Sequence, residues 1–176
     1  MITVGNLSFE PYIREEQIQA RIAAMATAID EKYADKDPLF LGILNGAFMF
    51  LGDLAKRVSI PANFSFVKYR SYEATQSTGQ VKELIGLGEE LRGRHIIIVE
   101  DIVDTGLTMQ HLVQTLEEMA PASVSIATML LKPEALQCDL KLDYVGFEIK
   151  NAFVLGYGMD YDEYGRNLPE IYVKAD

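Results

Sequence analysis

Apolar residues recur along the chain with two different spacings, and together these predict alternating helices and strands. Ile18, Ile22, Met25 and Ile29 lie three or four positions apart, which predicts an amphipathic helix over residues 14–33. Continuous apolar runs predict longer strands at 39–44, 63–70, 91–101 and 123–131, and shorter strands at 144–149 and 153–159. Mixed segments between them predict helices at 47–58 and 107–119. This alternation is typical of an α/β fold whose parallel sheet is covered by helices on both faces.

Length and charge narrow the class of protein. The 176 residues have the size of one domain, residues 1–176, and we find no repeat or linker within them. The net charge of −10 disfavours nucleic acid and anionic membranes as partners. Cys138 is the one cysteine, which excludes an internal disulfide. Neither a signal segment nor an apolar run of about 20 residues is present, so we expect a cytoplasmic protein without a membrane partner.

The segment HIIIVEDIVDTGLTM, residues 95–109, carries the candidate chemistry. An apolar strand leads into Glu100 and Asp101, and a turn with a glycine then opens a helix. The first N–H groups of a helix have no internal partners, and Gly106 permits close approach, so residues 104–108 form a plausible phosphate cradle. Carboxylates beside a phosphate need either sugar hydroxyls or a divalent cation to remove the repulsion. The residues therefore predict a phosphorylated sugar with Mg²⁺.

Each fragment of this segment also has a simpler interpretation. An acid pair at a strand end is commonly a solvated terminus, and Asp-Thr-Gly is commonly a turn with a helix cap. A phosphoacceptor signalling domain likewise has a parallel sheet with acids at its strand ends. The joined string of strand, acids, turn and amphipathic helix is more specific than either fragment. It lacks the lysine of a nucleoside triphosphate loop.

Several motifs in order resemble one known family. VEDIVDTGLT (99–108) is similar to the PRPP-binding motif of type I phosphoribosyltransferases. Residues 41–58 resemble the pyrophosphate loop and following helix of the hypoxanthine–guanine branch, and residues 71–81 resemble its flexible catalytic loop. Residues 140–149 and 153–169 resemble its purine-binding end. The resemblance implies the type I phosphoribosyltransferase fold, in which a parallel sheet flanked by helices carries a small purine-binding hood.

The resemblance implies roles for the residues that would hold PRPP. Glu100 and Asp101 hold the ribose hydroxyls and the Mg²⁺ shell, and Asp160 is a further Mg²⁺ ligand. Asp104 also manages the proton on purine nitrogen-7, unless it serves only as a helix cap. The residues that wrap the 5-phosphate are Asp104, Thr105, Gly106, Leu107 and Thr108. The residues that contact pyrophosphate are Asn45, Gly46 and Arg166, and relatives often have an unusual cis peptide in this loop.

The same resemblance implies a purine pocket and a lid. Lys141 donates to the 6-oxygen of the purine, and Phe153 stacks on the base. Val154 offers backbone groups to the edge of the base, and Asp160 belongs to the same purine-binding set. The lid carries Ser71 and Tyr72. Many relatives have basic residues where this chain has Asn45 and Leu107, which implies weaker anion binding without a different reaction.

The implied function is purine salvage. A 5-phosphoribosyl group moves from PRPP to nitrogen-9 of hypoxanthine, and of guanine, which gives IMP or GMP and releases pyrophosphate, with Mg²⁺ as cofactor. PRPP and a 6-oxopurine are then the small-molecule partners, and relatives imply a homodimer or homotetramer. The alternative is a PRPP-binding regulatory protein of the same fold that acts on nucleic acid, which would need a basic face.

Overall fold

The computed structural model describes residues 1–68 and 91–175 of the protein. Strands and helices alternate through most of the chain, as the apolar pattern predicts. In chain order the elements are β1 (Ile2–Val4), β2 (Leu7–Ile13), α1 (Glu15–Tyr33), β3 (Leu39–Leu44), α2 (Phe48–Ala55), β4 (Asn63–Lys68), β5 (His95–Val103), α3 (Leu107–Glu117), β6 (Ser123–Leu131), β7 (Tyr144–Glu148), β8 (Val154–Leu155) and β9 (Ile171–Lys174).

Five parallel strands form the main sheet in the order β4-β3-β5-β6-β7. Neighbouring residues of a strand point to opposite faces, so the apolar run of β5 supplies two cores. Ile97 and Val99 pack with α1 and α2, whereas Ile96 and Ile98 pack with α3. Burial on both faces explains why this strand is apolar at every position from Ile96 to Val99, and the predicted α/β architecture is confirmed.

A second sheet of four antiparallel strands, in the order β1-β2-β9-β8, forms the hood expected from the resemblance. The apolar pattern did not predict β1 and β2. Only Phe9 and Ile13 of β2 are buried, and Pro11 interrupts the strand next to a register shift. β1 is a short edge strand and β2 buries only two side chains, so neither leaves a clear period of two in the sequence.

The structure corrects several predicted boundaries. The prediction that β5 begins at residue 91 and ends at the acids is wrong. The strand begins at His95 and continues to Val103, because its pairing with β6 extends as far as Val103 and Leu131. The helix predicted to residue 58 ends at Ala55. Within residues 1–68 and 91–175, no helix is both long enough and apolar enough to cross a membrane.

Candidate active site

The acid pair lies inside the last part of β5, at the carboxyl edge of the parallel sheet. Both side chains are half-buried. The backbone N–H of Asp101 donates to Glu100 Oε1 at 3.0 Å, and the N–H of Ile102 donates to Asp101 Oδ1 at 2.7 Å. These bonds hold the carboxylates against the strand. Ligands of open parallel sheets bind at this edge, so the acids are well placed to face one.

The electrostatics of the pair favour a proton or a cation beside it. Burial and the neighbouring charge of Asp101 raise the pKa of Glu100 well above its usual value. Burial also raises the pKa of Asp101, although hydrogen bonds and the positive charge of Arg166 partly offset this. Two carboxylates that are costly to ionise together, and that offer only oxygen, suit a hard divalent cation.

The turn after β5 has the shape of an anion site. Gly106 has φ +79° and stands as the cap residue before α3, in a left-handed conformation that glycine adopts without strain. Gly106 has no side chain with which to cap the helix, and the N–H of Leu107 makes only a long hydrogen bond, 3.4 Å, to Thr105 Oγ1, so this helix N-terminus can bind a ligand. A cavity of about 180 Å³ opens here. Residues 100–106, Thr108 and Met109 line it.

A loop after β3 packs directly against the acid pair. The peptide bond between Leu44 and Asn45 is cis, as the resemblance implied. Gly46 lies so close to Asp101 that a Cβ at this position would overlap its carboxylate. On the other side, a Cβ on Gly158 would overlap the carbonyl oxygen of Gly46. The structure thus brings Asn45 and Gly46, which are far away in sequence, to the acids of β5.

Arg166 lies in the hood and holds Gly158, the residue that packs against Gly46. Its Nη1 donates to the carbonyl oxygen of Gly158 at 2.9 Å, and its Nη2 lies 2.8 Å from Asp160 Oδ1. Asp160 Oδ2 accepts a hydrogen bond from the N–H of Glu163 at 2.8 Å. The charge of Arg166 also acts on Asp101. Arg166 and Asp160 therefore lie beside the site as an ion pair.

Asp104 has a partner that the sequence did not single out. Lys132 Nζ lies 2.9 Å from Asp104 Oδ2, and the lysine side chain is only 10% exposed, whereas that of Asp104 is 49% exposed. Lys132 directly follows β6, and its N–H donates to the carbonyl oxygen of Val103 at 3.0 Å. A nearly buried cation thus stands at the carboxyl edge of the sheet.

Phe153 provides an open aromatic surface in the hood. It precedes β8 and is 44% exposed, which is unusual for a phenylalanine in an apolar segment. Val154, the next residue, is buried. The exposed ring face can receive a flat ring, which is consistent with the base-stacking role implied by the sequence resemblance.

Comparison with known proteins agrees with this arrangement. The family described as phosphoribosyl transferase domain matches residues 12–162. The chain is 41% identical to the hypoxanthine-guanine phosphoribosyltransferase of Bacillus subtilis, over 92% of this chain and 90% of that one. It belongs to the hypoxanthine-guanine phosphoribosyltransferase family. It is 39% identical to the hypoxanthine phosphoribosyltransferase of Salmonella typhimurium, over 92% of this chain and 93% of that one.

A solved structure of the family has the same fold. The crystal structure of a hypoxanthine-guanine phosphoribosyltransferase from Bacillus anthracis superposes with a TM-score of 0.88 at 32% identity. The match covers 97% of this chain and all of that one. Recognition of the family and of its type I fold from sequence is therefore confirmed.

One predicted residue of this phosphoribosyltransferase does not reach the site. Lys141 has an 87% exposed side chain whose nearest carboxylate is Asp143, at 3.7 Å. It precedes β7, so it lies at the amino edge of the sheet, opposite to the acids. The placement of Lys141 in the purine pocket is corrected by this geometry, and Lys132 is the lysine at the carboxyl edge. Its position immediately after β6 was the signal in the sequence that could have identified it.

The remaining predicted residues fall into two groups. Leu107 begins α3 and is 47% exposed, so this position of the phosphate turn presents an apolar side chain and not a cation. Ser71 and Tyr72, like the rest of residues 71–81, lie outside the described residues. In the part of the chain that is described, no three His, Cys, Asp or Glu side chains form a ready metal cluster, so Asp160 does not join Glu100 and Asp101 in one cage.

Proposed function

We propose that this protein transfers the 5-phosphoribosyl group of PRPP to nitrogen-9 of hypoxanthine, and also of guanine, releasing pyrophosphate. The products, IMP and GMP, make this a purine salvage reaction. One observation carries the proposal. The acids of β5, the glycine turn before α3 and the cis-peptide loop after β3 meet at one edge of the sheet, although 55 positions separate Asn45 from Glu100 in sequence (100 minus 45). The relatives' names support the same reaction.

PRPP fits this edge in one orientation. The turn of residues 104–108 presents the N-terminal N–H groups of α3 to the 5-phosphate. Glu100 and Asp101 accept hydrogen bonds from the ribose diol. The pyrophosphate then reaches the Asn45–Gly46 loop and Arg166, which lie directly beside Asp101.

Mg²⁺ is the metal we propose for this site. It keeps several waters and is usually held by one or two carboxylates together with substrate phosphates, so a complete protein cage is not required. Glu100 and Asp101 offer the carboxylates that face PRPP. Asp160 is the further Mg²⁺ ligand once its ion pair with Arg166 opens. When bound, the ion would neutralise charge on the departing pyrophosphate.

We propose that Phe153, Val154 and Lys132 hold the purine. The exposed ring of Phe153 stacks on the base, and backbone groups of Val154 face its edge. Lys132 takes the role that the resemblance implied for a lysine, donation to the 6-oxygen, because it is nearly buried at the carboxyl edge. Its ammonium has donors and no acceptor, so it suits the oxo group of hypoxanthine and opposes the amino group of adenine.

Asp104 is the candidate for handling the proton on purine nitrogen-7. Its side chain is half exposed toward the cavity while Lys132 fixes one of its oxygens, so the other oxygen stays accessible to a base. General acid–base assistance of this kind typically contributes about 10²- to 10⁴-fold in rate.

Positive charge develops on the ribose during transfer, so water must be excluded to prevent hydrolysis of PRPP. The resemblance assigns this task to a lid at residues 71–81, with Ser71 and Tyr72, and this remains a prediction. We further propose a cytoplasmic homodimer or homotetramer made of one domain, residues 1–176.

An absorbance assay tests the proposed function. Purified protein is mixed with PRPP, Mg²⁺ and one of hypoxanthine, guanine, xanthine or adenine. Hypoxanthine and guanine should be converted, and adenine should be left almost untouched. The alternative, a PRPP-binding regulator, predicts no conversion of any purine together with retardation of RNA or DNA in a gel at low salt.

A further inference from the structure

We infer that Tyr161, held by Asn6 in the N-terminal hairpin, is a positioning residue for the ring of Phe153 and so controls affinity for the purine. The inference deepens the proposed function, on which it rests. The side chain of Tyr161 packs against Phe153 in the hood, so its effect should fall on the base rather than on PRPP.

The first support is the aromatic packing behind Phe153. The rings of Tyr161 and Phe153 lie edge to face, with centroids 5.8 Å apart and planes at 86°. Phe9 contacts both rings, with centroids 6.1 Å from Phe153 and 6.3 Å from Tyr161. Edge-to-face pairs have a preferred geometry, so Tyr161 restrains the plane in which Phe153 stands. Because Phe153 is 44% exposed, its open side supplies little packing of its own.

The second support is the contact that holds Tyr161. Its hydroxyl donates to Asn6 Oδ1 at 2.6 Å, in the turn between β1 and β2. The ring lies against Gly5, where a Cβ would be 3.1 Å from Tyr161 Cε1 and where φ is +58°. A side chain at that position would be strained and would crowd the ring, so the turn is built to receive it.

The third support is how the hairpin connects back to Phe153. β2 pairs with β9, and β9 pairs with β8, the strand that begins one residue after Phe153. The carbonyl oxygen of Phe153 accepts a hydrogen bond from the N–H of Lys174 at 2.9 Å. The sheet therefore fixes the backbone of Phe153, while Tyr161 fixes its ring. The hairpin, which the sequence analysis left without a role, completes the base side of the site.

Three variants test this inference in the full chain. Tyr161→Ala removes the ring, Tyr161→Phe removes only the hydroxyl, and Asn6→Ala removes the acceptor. Tyr164→Ala is the matched control, since Tyr164 lies in the same turn with 69% exposure. KM is measured separately for hypoxanthine and for PRPP, with melting temperature recorded for every protein.

Loss of the ring contact should raise the KM for hypoxanthine about two- to tenfold in Tyr161→Ala, from the usual strength of an aromatic pair. Tyr161→Phe and Asn6→Ala should each raise it about twofold, and the KM for PRPP should stay within about twofold in all variants. Tyr164→Ala should match the wild type.

Two results would overturn the inference. One is a hypoxanthine KM within the error of wild type for Tyr161→Ala. The other is an equal rise of both KM values, which would mean general loosening of the fold. If Tyr161→Ala fails to fold, the two milder variants decide by the same criterion. A wild-type protein without transferase activity would instead refute the proposed function, and the inference with it.

Discussion

Replacing Lys132 and Lys141 one at a time with methionine tests which lysine contacts the purine. Lys132→Met removes an ammonium whose side chain is only 10% exposed, while keeping an unbranched side chain of similar length. A hydrogen bond that involves a charged group contributes about 1.5–3 kcal/mol, and 1.4 kcal/mol corresponds to a factor of ten. We therefore expect kcat/KM for hypoxanthine to fall about ten- to hundredfold.

Lys132 also holds Asp104 at 2.9 Å, so part of this loss could come from disturbance of Asp104. The ratio of kcat/KM for hypoxanthine and adenine separates the two effects, because a disturbed Asp104 weakens both reactions while loss of the 6-oxo contact weakens only one. Both rates are measured by absorbance with saturating PRPP and Mg²⁺. The ratio should fall by about tenfold or more in Lys132→Met.

Lys141→Met is the matched control. Its ammonium is 87% exposed beside Asp143 at the opposite edge of the sheet, so both rates and their ratio should remain within about twofold of wild type. The reasoning would be refuted by an unchanged ratio in Lys132→Met, or by a collapse of the ratio in Lys141→Met. The second result would restore the residue that the sequence resemblance suggested.

Three further predictions follow from the site and its supports. Excess EDTA should abolish nucleotide formation and added Mg²⁺ should restore it, whereas full activity in EDTA would remove the metal roles of the acids. Gly46→Ala should lower kcat/KM for PRPP by the equivalent of about 1–3 kcal/mol, because its Cβ must displace the carboxylate of Asp101; normal PRPP kinetics would contradict the close packing. Burial alone would raise the pKa of Asp53, but hydrogen bonds from Lys56, Tyr157 and a glutamine leave this pKa below its usual value. The ionised carboxylate of Asp53 therefore stabilises the fold at pH values above its unfolded pKa of about 3.9. This stabilisation is lost as the pH falls through the lower pKa of the folded state. Asp53→Asn should therefore cost about 1–3 kcal/mol in urea unfolding at pH 7, with a smaller difference from wild type below about pH 4.

The main sheet was predictable because the apolar pattern of each of its strands is contained in a short stretch of sequence. β5 is buried on both faces, so every position from Ile96 to Val99 is apolar and the strand is visible without its neighbours. Helix α1 could be predicted because only one of its faces is buried, which leaves apolar residues at helical spacing in the sequence. β2 was missed because it is stabilised by pairing with β9, which lies at the other end of the chain, and β1 pairs in turn with β2.

The phosphate turn was likewise local, since residues 104–108 are contiguous. At the purine end, the resemblance pointed to the wrong lysine. Lys141 stands before β7 and Lys132 stands after β6, and the predicted strands at 123–131 and 144–149 already imply that these two lysines lie at opposite edges of the sheet. The support of Asp101 by Gly46 depends on packing between separate strands, and no spacing in the sequence encodes it.

The most direct measurement of the central claim is the mass balance of the reaction. Wild-type protein is incubated with PRPP, hypoxanthine and Mg²⁺, and the amounts of hypoxanthine, IMP, pyrophosphate and free ribose 5-phosphate are followed by chromatography and mass spectrometry. IMP and pyrophosphate should appear in equal amounts as hypoxanthine disappears, with little ribose 5-phosphate. Loss of PRPP to ribose 5-phosphate without IMP, or no loss of PRPP at all, would contradict the central claim.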